Sequence, residues 1–165
     1  TPLYSSAASD VYKRQAQDGG FSLFSGLQRI ITVLEGAGIA LTVDGQARAP
    51  LGPRQAYAFS GDAAVDCRLV NGPIRDFNLI YSPARYHARL QWIGAARHWT
   101  FHSAARTVLL LNAGQDLSLW CDGQALPGPS RYDCLHIEGQ DRLAEYRLES
   151  EGMLDACLIE LTPRI

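Results

Sequence analysis

The chain has 165 residues, a formal net charge of -2, and 47% hydrophobic against 19% charged residues. That length suits one domain or two small fused ones, and that apolar content is enough for a real core, which excludes a disordered chain. With no cluster of Lys or Arg, the charge gives no electrostatic case for nucleic acid or an anionic membrane, and no apolar run approaches the roughly 20 residues of a helical membrane span.

Thr1–Gln15 differs in character from the remainder of the chain. It has small polar residues, no sustained alternation, no initiator Met and none of the apolar core of a signal peptide. It reads as a foreign or truncated start, or else as an ordinary N-terminal arm. The expected division is therefore an arm over 1–15, a first half over 16–85 and a second half over 86–165.

The run RIITVLEGAGIALTVDG, Arg29–Gly45, organises the first half. Ile31 and Val33 alternate with smaller or polar neighbours, Gly36-Ala37-Gly38 interrupts, and Ile39, Leu41 and Val43 alternate again before Asp44-Gly45. Period-two spacing on both sides of a glycine-bearing connection predicts an antiparallel hairpin with one buried face. The β-branched residues and the glycines argue against a helix. Further strands are expected over Ala56–Phe59, Val65–Val70 and Asp76–Tyr81.

The same signals then recur in the same order. Asp44-Gly45-Gln46-Ala47 returns as Asp122-Gly123-Gln124-Ala125, Gly52-Pro53 as Gly128-Pro129, Cys67-Arg68-Leu69 as Tyr146-Arg147-Leu148, and Leu79-Ile80 as Leu158-Ile159. Each piece is a common dipeptide or turn, but shared order at a near-constant offset indicates a duplication. The second copy predicts strands over Thr107–Leu111, Leu117–Trp120, Asp133–Ile137, Arg142–Leu148 and Leu154–Leu161. Between the copies, His98, Thr100 and His102 alternate with Trp99 and Phe101, as in a half-buried strand. Any helix is a short piece near Ser82–Ala88. Short, regularly spaced strands mean an all-β sandwich, jelly roll or barrel.

On a strand over Asp76–Tyr81, Asp76 and Asn78 share one face, opposite Phe77, Leu79 and Tyr81. Arg29 opens the first long strand and Glu35 closes it. If the strands curl into a jelly roll, Arg29, Asp76 and Asn78 converge in its mouth. There a guanidinium binds a carboxylate through two parallel hydrogen bonds, and an asparagine amide reads an amide or formyl group. That combination suits a small acidic metabolite. The alternative is a structural Arg29–Asp76 ion pair with Asn78 satisfying a turn.

Other chemistry finds no pattern. His98 and His102 share a strand face but stand roughly 13 Å apart at about 3.3 Å per residue, too far for one metal ion, and His87 and His136 have no ligand pattern around them. Cys67, Cys121, Cys134 and Cys157 form no C-x-x-C pair and read as thiols in a reducing cytoplasm. There is no nucleophile elbow, dinucleotide fingerprint or P-loop. No catalytic residue, metal or cofactor is expected.

Asp18-Gly19-x-Phe21-Ser22-x-Phe24-x-Gly26-x-x-Arg29, Val33-Leu34-Glu35-Gly36-x-Gly38, Val43-Asp44-Gly45, Phe59-x-Gly61-Asp62 and Gly72-Pro73-x-x-Asp76-x-Asn78 together resemble the HutD/Ves family of bacterial cupin-fold proteins. The resemblance covers about Ala16–Tyr81 closely and the second half in pattern. It implies a bicupin, two tandem cupin-like units, and a cytoplasmic protein of histidine utilisation. Such a protein would bind an acidic pathway intermediate, N-formylglutamate or urocanate, in a regulatory role rather than as an enzyme. Family members begin with a segment carrying a W-K-N-G-G-G motif that this sequence lacks. Where metal-binding cupins carry G-x-x-H, this chain has Phe59-Ser60-Gly61-Asp62. The candidate ligand-binding residues are Arg29, Asp76, Asn78, Glu35 and Phe21, with a homodimer left open as a partner. The rival readings are a metal-independent cupin-type isomerase or hydrolase and a purely structural dimerisation module.

Overall fold

Alternating burial along short β-rich segments produces sixteen strands, with no helix among the described residues. The computed structural model describes residues 13–139 and 141–164, with the backbone alone of Lys13 and Arg14; the expected arm lies outside the described residues up to residue 12. The chain divides into two compact units at Pro83 and Ala84.

The first unit holds β1 (Lys13–Gln15), β2 (Gly19–Gly20), β3 (Gln28–Glu35), β4 (Ile39–Val43), β5 (Gln46–Ala47), β6 (Ala56–Ser60), β7 (Val65–Leu69) and β8 (Ile74–Tyr81). They form two antiparallel four-stranded sheets, β1-β8-β3-β6 and β2-β7-β4-β5. The second unit holds β9 (Tyr86–Ile93), β10 (His98–Ser103), β11 (Thr107–Asn112), β12 (Ser118–Cys121), β13 (Gln124–Leu126), β14 (Cys134–Glu138), β15 (Ala144–Glu149) and β16 (Ala156–Pro163). Its sheets run β9-β16-β11-β14 and β10-β15-β12-β13. Counted from its own first strand, each unit therefore has the orders 1-8-3-6 and 2-7-4-5, the arrangement of an eight-stranded, double-sheet jelly roll. No helix among the described residues is long and apolar enough to cross a membrane.

The expected Arg29–Gly45 hairpin does not form. β3 pairs with β6 and β8, β4 pairs with β5 and β7, and so the two strands lie in different sheets. Gly36-Ala37-Gly38 is a corner that carries the chain from one sheet to the other. It needs glycine because Gly36 has φ +98 and a Cβ there would come within 2.7 Å of the Pro73 carbonyl oxygen, while one on Gly38, at φ +125, would strike the Leu51 carbonyl. Alternation beside a glycine break cannot distinguish a hairpin from a corner. The short helix near Ser82–Ala88 is also absent: Pro83–Arg85 is a turn, and Tyr86 opens β9. Of the segment read as an arm, Lys13–Gln15 pairs with Ile74–Asp76.

The duplication extends to single atoms. Asp44 (φ +49) donates its amide to Ala64 and accepts the Ala64 amide on its carboxylate at 2.9 Å. Asp122 (φ +48) makes the same two bonds with Glu145, again at 2.9 Å on the carboxylate. Asp tolerates this left-handed conformation better than most residues, and its carboxylate satisfies the amide across the turn.

Each unit has its own apolar core. In the first, Ile31, Val33, Ile39, Leu41, Val65 and Ile74 pack together. In the second, Val108, Leu110, Leu119, Tyr146, Leu148 and Leu158 do so. At about 1.5–3 kcal/mol for each fully buried large side chain, these clusters are the main favourable term for folding.

Candidate functional site

Residues paired across an antiparallel ladder point to the same face. On β3 and β8, Arg29 stands opposite Ile80, Ile31 opposite Asn78, and Val33 opposite Asp76. Ile31 and Val33 belong to the core of the first unit. Arg29, Asp76 and Asn78 therefore face the inside of that jelly roll, where all three are buried.

They form a chain of hydrogen bonds. One terminal nitrogen of Arg29 donates to the Asn78 side-chain oxygen at 2.8 Å, and the Asn78 amide donates to the Asp76 carboxylate at 2.6 Å. The other terminal nitrogen donates to the Ser22 carbonyl at 3.1 Å. Arg29 Nε is buried and has no hydrogen-bond partner among the described residues. A buried unsatisfied donor costs on the order of 1–3 kcal/mol, which a ligand accepting that bond recovers.

Three aromatic rings surround the guanidinium. Its central carbon lies 5.0 Å from the ring centre of Phe21, 5.1 Å from Phe24 and 5.0 Å from Phe59. Ring faces attract a cation, and their bulk removes water from it. Burial accordingly pulls the Arg29 pKa below its ordinary value, while the nearby Asp76 charge pushes it back up. The guanidinium stays cationic at neutral pH.

The group lines a cavity of about 420 Å³. Phe21, Ser22, Phe24, Arg29, Asp76 and Asn78 supply its polar and aromatic wall, and Gly19 and Gly20 of β2 leave space on another side. A concave apolar site with a few convergent polar groups is what a small-molecule pocket requires.

The profile of the HutD family matches residues 14–157. The chain belongs to the HutD family. A Pseudomonas putida relative described as an uncharacterized 21.2 kDa protein in the hutC 3' region is 50% identical over 149 residues, covering 90% of this chain and 75% of its own length. The structure of HutD from Pseudomonas fluorescens SBW25, in a formate condition, has a TM-score of 0.80 and 45% identity, covering 93% of this chain and 78% of the other. A conserved protein of unknown function from Pseudomonas aeruginosa PAO1 has a TM-score of 0.90 and 44% identity, covering 93% and 82%. YhaK from Escherichia coli, at 10% identity and a TM-score of 0.65 with 92% and 83% covered, shares the fold alone.

Within this HutD fold, four of the five expected site residues come together: Arg29, Asp76, Asn78 and Phe21 all line the one cavity. Glu35 does not join them. A register shift between Val33 and Glu35 breaks the alternation that would place it with Arg29, and its carboxylate sits 3.3 Å from Arg75 Nε. Phe24 is the wall residue that strand parity alone does not find. A signal for it exists, since two phenylalanines three apart in a short glycine-flanked connector are unusual for a solvent loop. His98 and His102 lie on β10 and face Glu149 and Glu145 of β15 at 3.8 and 3.5 Å.

Proposed function

We propose that this HutD-family chain is a cytoplasmic binding protein of histidine utilisation, built from two tandem cupin-like units. In this reading the cavity of the first unit holds a small acidic intermediate, N-formylglutamate or urocanate, and the bound state has a regulatory rather than a catalytic role. Arg29 receives the carboxylate, Asn78 and Asp76 fix the guanidinium and read the polar remainder, and Phe21 covers the apolar part. One observation carries the reading: a buried arginine inside three phenylalanines keeps an unused N–H donor beside a cavity of ligand size.

The test is thermal shift and calorimetry with N-formylglutamate, urocanate and formate. A ligand at 100 times its dissociation constant adds about 2.7 kcal/mol of stability. Arg29→Ala should abolish the shift while circular dichroism reports an intact β fold. If none of the three compounds shifts the wild-type protein, the reading is wrong.

A further inference from the structure

The cavity wall contributed by Phe21 and Phe24 belongs to no sheet. Both lie in the seven-residue connector 21–27 between β2 and β3. In the second unit the corresponding connector, between β10 and β11, is Ala104-Ala105-Arg106 and contains no aromatic residue. An extended connector needs something to hold it in place, because loops left to themselves lie at the low-stability end of a structure.

What holds it is the pair that succeeds β6. Gly61 donates its amide to the Leu27 carbonyl at 2.7 Å and accepts the Phe24 amide at 2.8 Å. A Cβ on Gly61 would collide with the Phe24 carbonyl and come within 2.9 Å of that of Leu27, so the approach demands glycine. Asp62 then accepts the Gly26 amide with both carboxylate oxygens, at 3.1 and 3.3 Å. Gly26 sits at φ +71, the sharp point of the connector. Asp62 is steadied in turn by Ser60, whose hydroxyl accepts the Asp62 amide at 3.2 Å. Asp62 is exposed and does not line the cavity.

We infer that Asp62 is a positioning residue: by gripping Gly26 it holds Phe24 and the Ser22 carbonyl against the Arg29 guanidinium, so the binding geometry depends on a carboxylate that the ligand never meets. The inference rests on the binding reading for its consequence, ligand affinity, but not for its structural content.

Two measurements on the full chain separate the two. Nitrogen–proton spectra of unliganded protein report the Arg29 Nε–H signal, which the three surrounding rings should shift, and amide hydrogen exchange reports Phe24, Gly26 and Leu27. With Asp62→Ala, the Arg29 signal should move toward its random-coil position, and exchange at Gly26 should rise at least tenfold while amides of β3 and β8 keep their protection. Asp62→Glu should restore part of both. In parallel, the dissociation constant for urocanate should rise about tenfold in Asp62→Ala with Arg29 untouched. An unmoved Arg29 signal and unchanged Gly26 exchange overturn the inference, whatever the ligands do. If both change as stated but wild-type protein binds none of the three probes, Asp62 keeps its positioning role and the binding reading fails instead.

Discussion

The two units share strand order and turn chemistry and differ in the throat. In the first, the ladder between β3 and β8 places Arg29, Asn78 and Asp76 inside. In the second, the matching ladder between β11 and β16 pairs Leu110 with Leu158 and Asn112 with Ala156, and the position of Arg29 is taken by Val108, opposite Glu160. Val108, Leu158 and Ala156 are all buried in the apolar cluster. The charge that remains there is neutralised within the protein: Glu160 receives Arg89 at 2.6 Å and the Ser103 hydroxyl at 2.5 Å. The same scaffold thus closes on itself in one half and keeps a buried, half-satisfied cation in the other. Folding does not require the polar throat, since the second unit does without it.

That contrast can be broken from either side. The largest effect is expected from copying the first throat into the second: Leu158→Asn puts an amide among apolar side chains and should cost about 4 kcal/mol in urea denaturation. In the first unit, Arg29→Leu takes the buried guanidinium away from the buried Asp76 carboxylate and should cost about 3 kcal/mol. Removing all the charge reverses that loss. The triple variant Arg29→Val, Asp76→Ala, Asn78→Leu should return to within about 1 kcal/mol of wild type, because a buried ion pair rarely outperforms apolar packing of similar volume. It should bind none of the acids. A triple variant as unstable as the single one would show that the polar chain is structural.

Smaller effects sharpen the likeness between the units rather than the difference. Asp44→Ala and Asp122→Ala remove equivalent turn contacts, and each should lower the melting temperature by a few degrees, Asp122→Ala slightly more because it also releases the exposed Arg142 ion pair. A shift in only one of the two would mean the repeat is only skin-deep.

The smallest effect is on acid stability. Hydrogen bonds from Ser25 and then Gly26 hold the Asp62 pKa below its ordinary 3.8, and the Glu145 amide followed by Arg142 does the same for Asp122. A depressed folded-state pKa stabilises the protein above the unfolded value and loses that contribution as pH falls through the folded one. The melting temperature should therefore be insensitive to these two groups from pH 7 to about 5 and fall below about pH 4. Asp62→Asn and Asp122→Asn should each lower the neutral plateau slightly and flatten that acid limb, so that variant and wild type converge at low pH.

Much of this was legible in the sequence because strands with one dry face write their parity into it. Ile31, Val33, Ile39, Leu41 and Val43 alternate, and so do Asp76 and Asn78 against Phe77 and Leu79; the inward turn of Arg29, Asp76 and Asn78 comes from counting by twos. Counting fails where the ladder slips. The irregularity after Val33 takes Glu35 out of phase, and no feature of the local sequence announces it. Pairing partners are also invisible, because the Gly36–Gly38 corner and a hairpin have the same flanking pattern and differ only in contacts made by residues far along the chain. β9 escapes notice for another reason. From Tyr86 to Leu90 it alternates between half-buried and exposed residues, Gln91 and Trp92 are half-buried, and no residue is fully buried before Ile93, so its apolar signal is shallow.

Arg29 is immobilised before any ligand arrives, tethered at both terminal nitrogens by Asn78 and the Ser22 carbonyl. Its rotamer freedom was surrendered when the chain folded, so the proposed capture of an acid would need little rearrangement around it. On the proposed regulatory reading, a receptor that moves so little would signal to another macromolecule through the portion of the guest left showing at the rim.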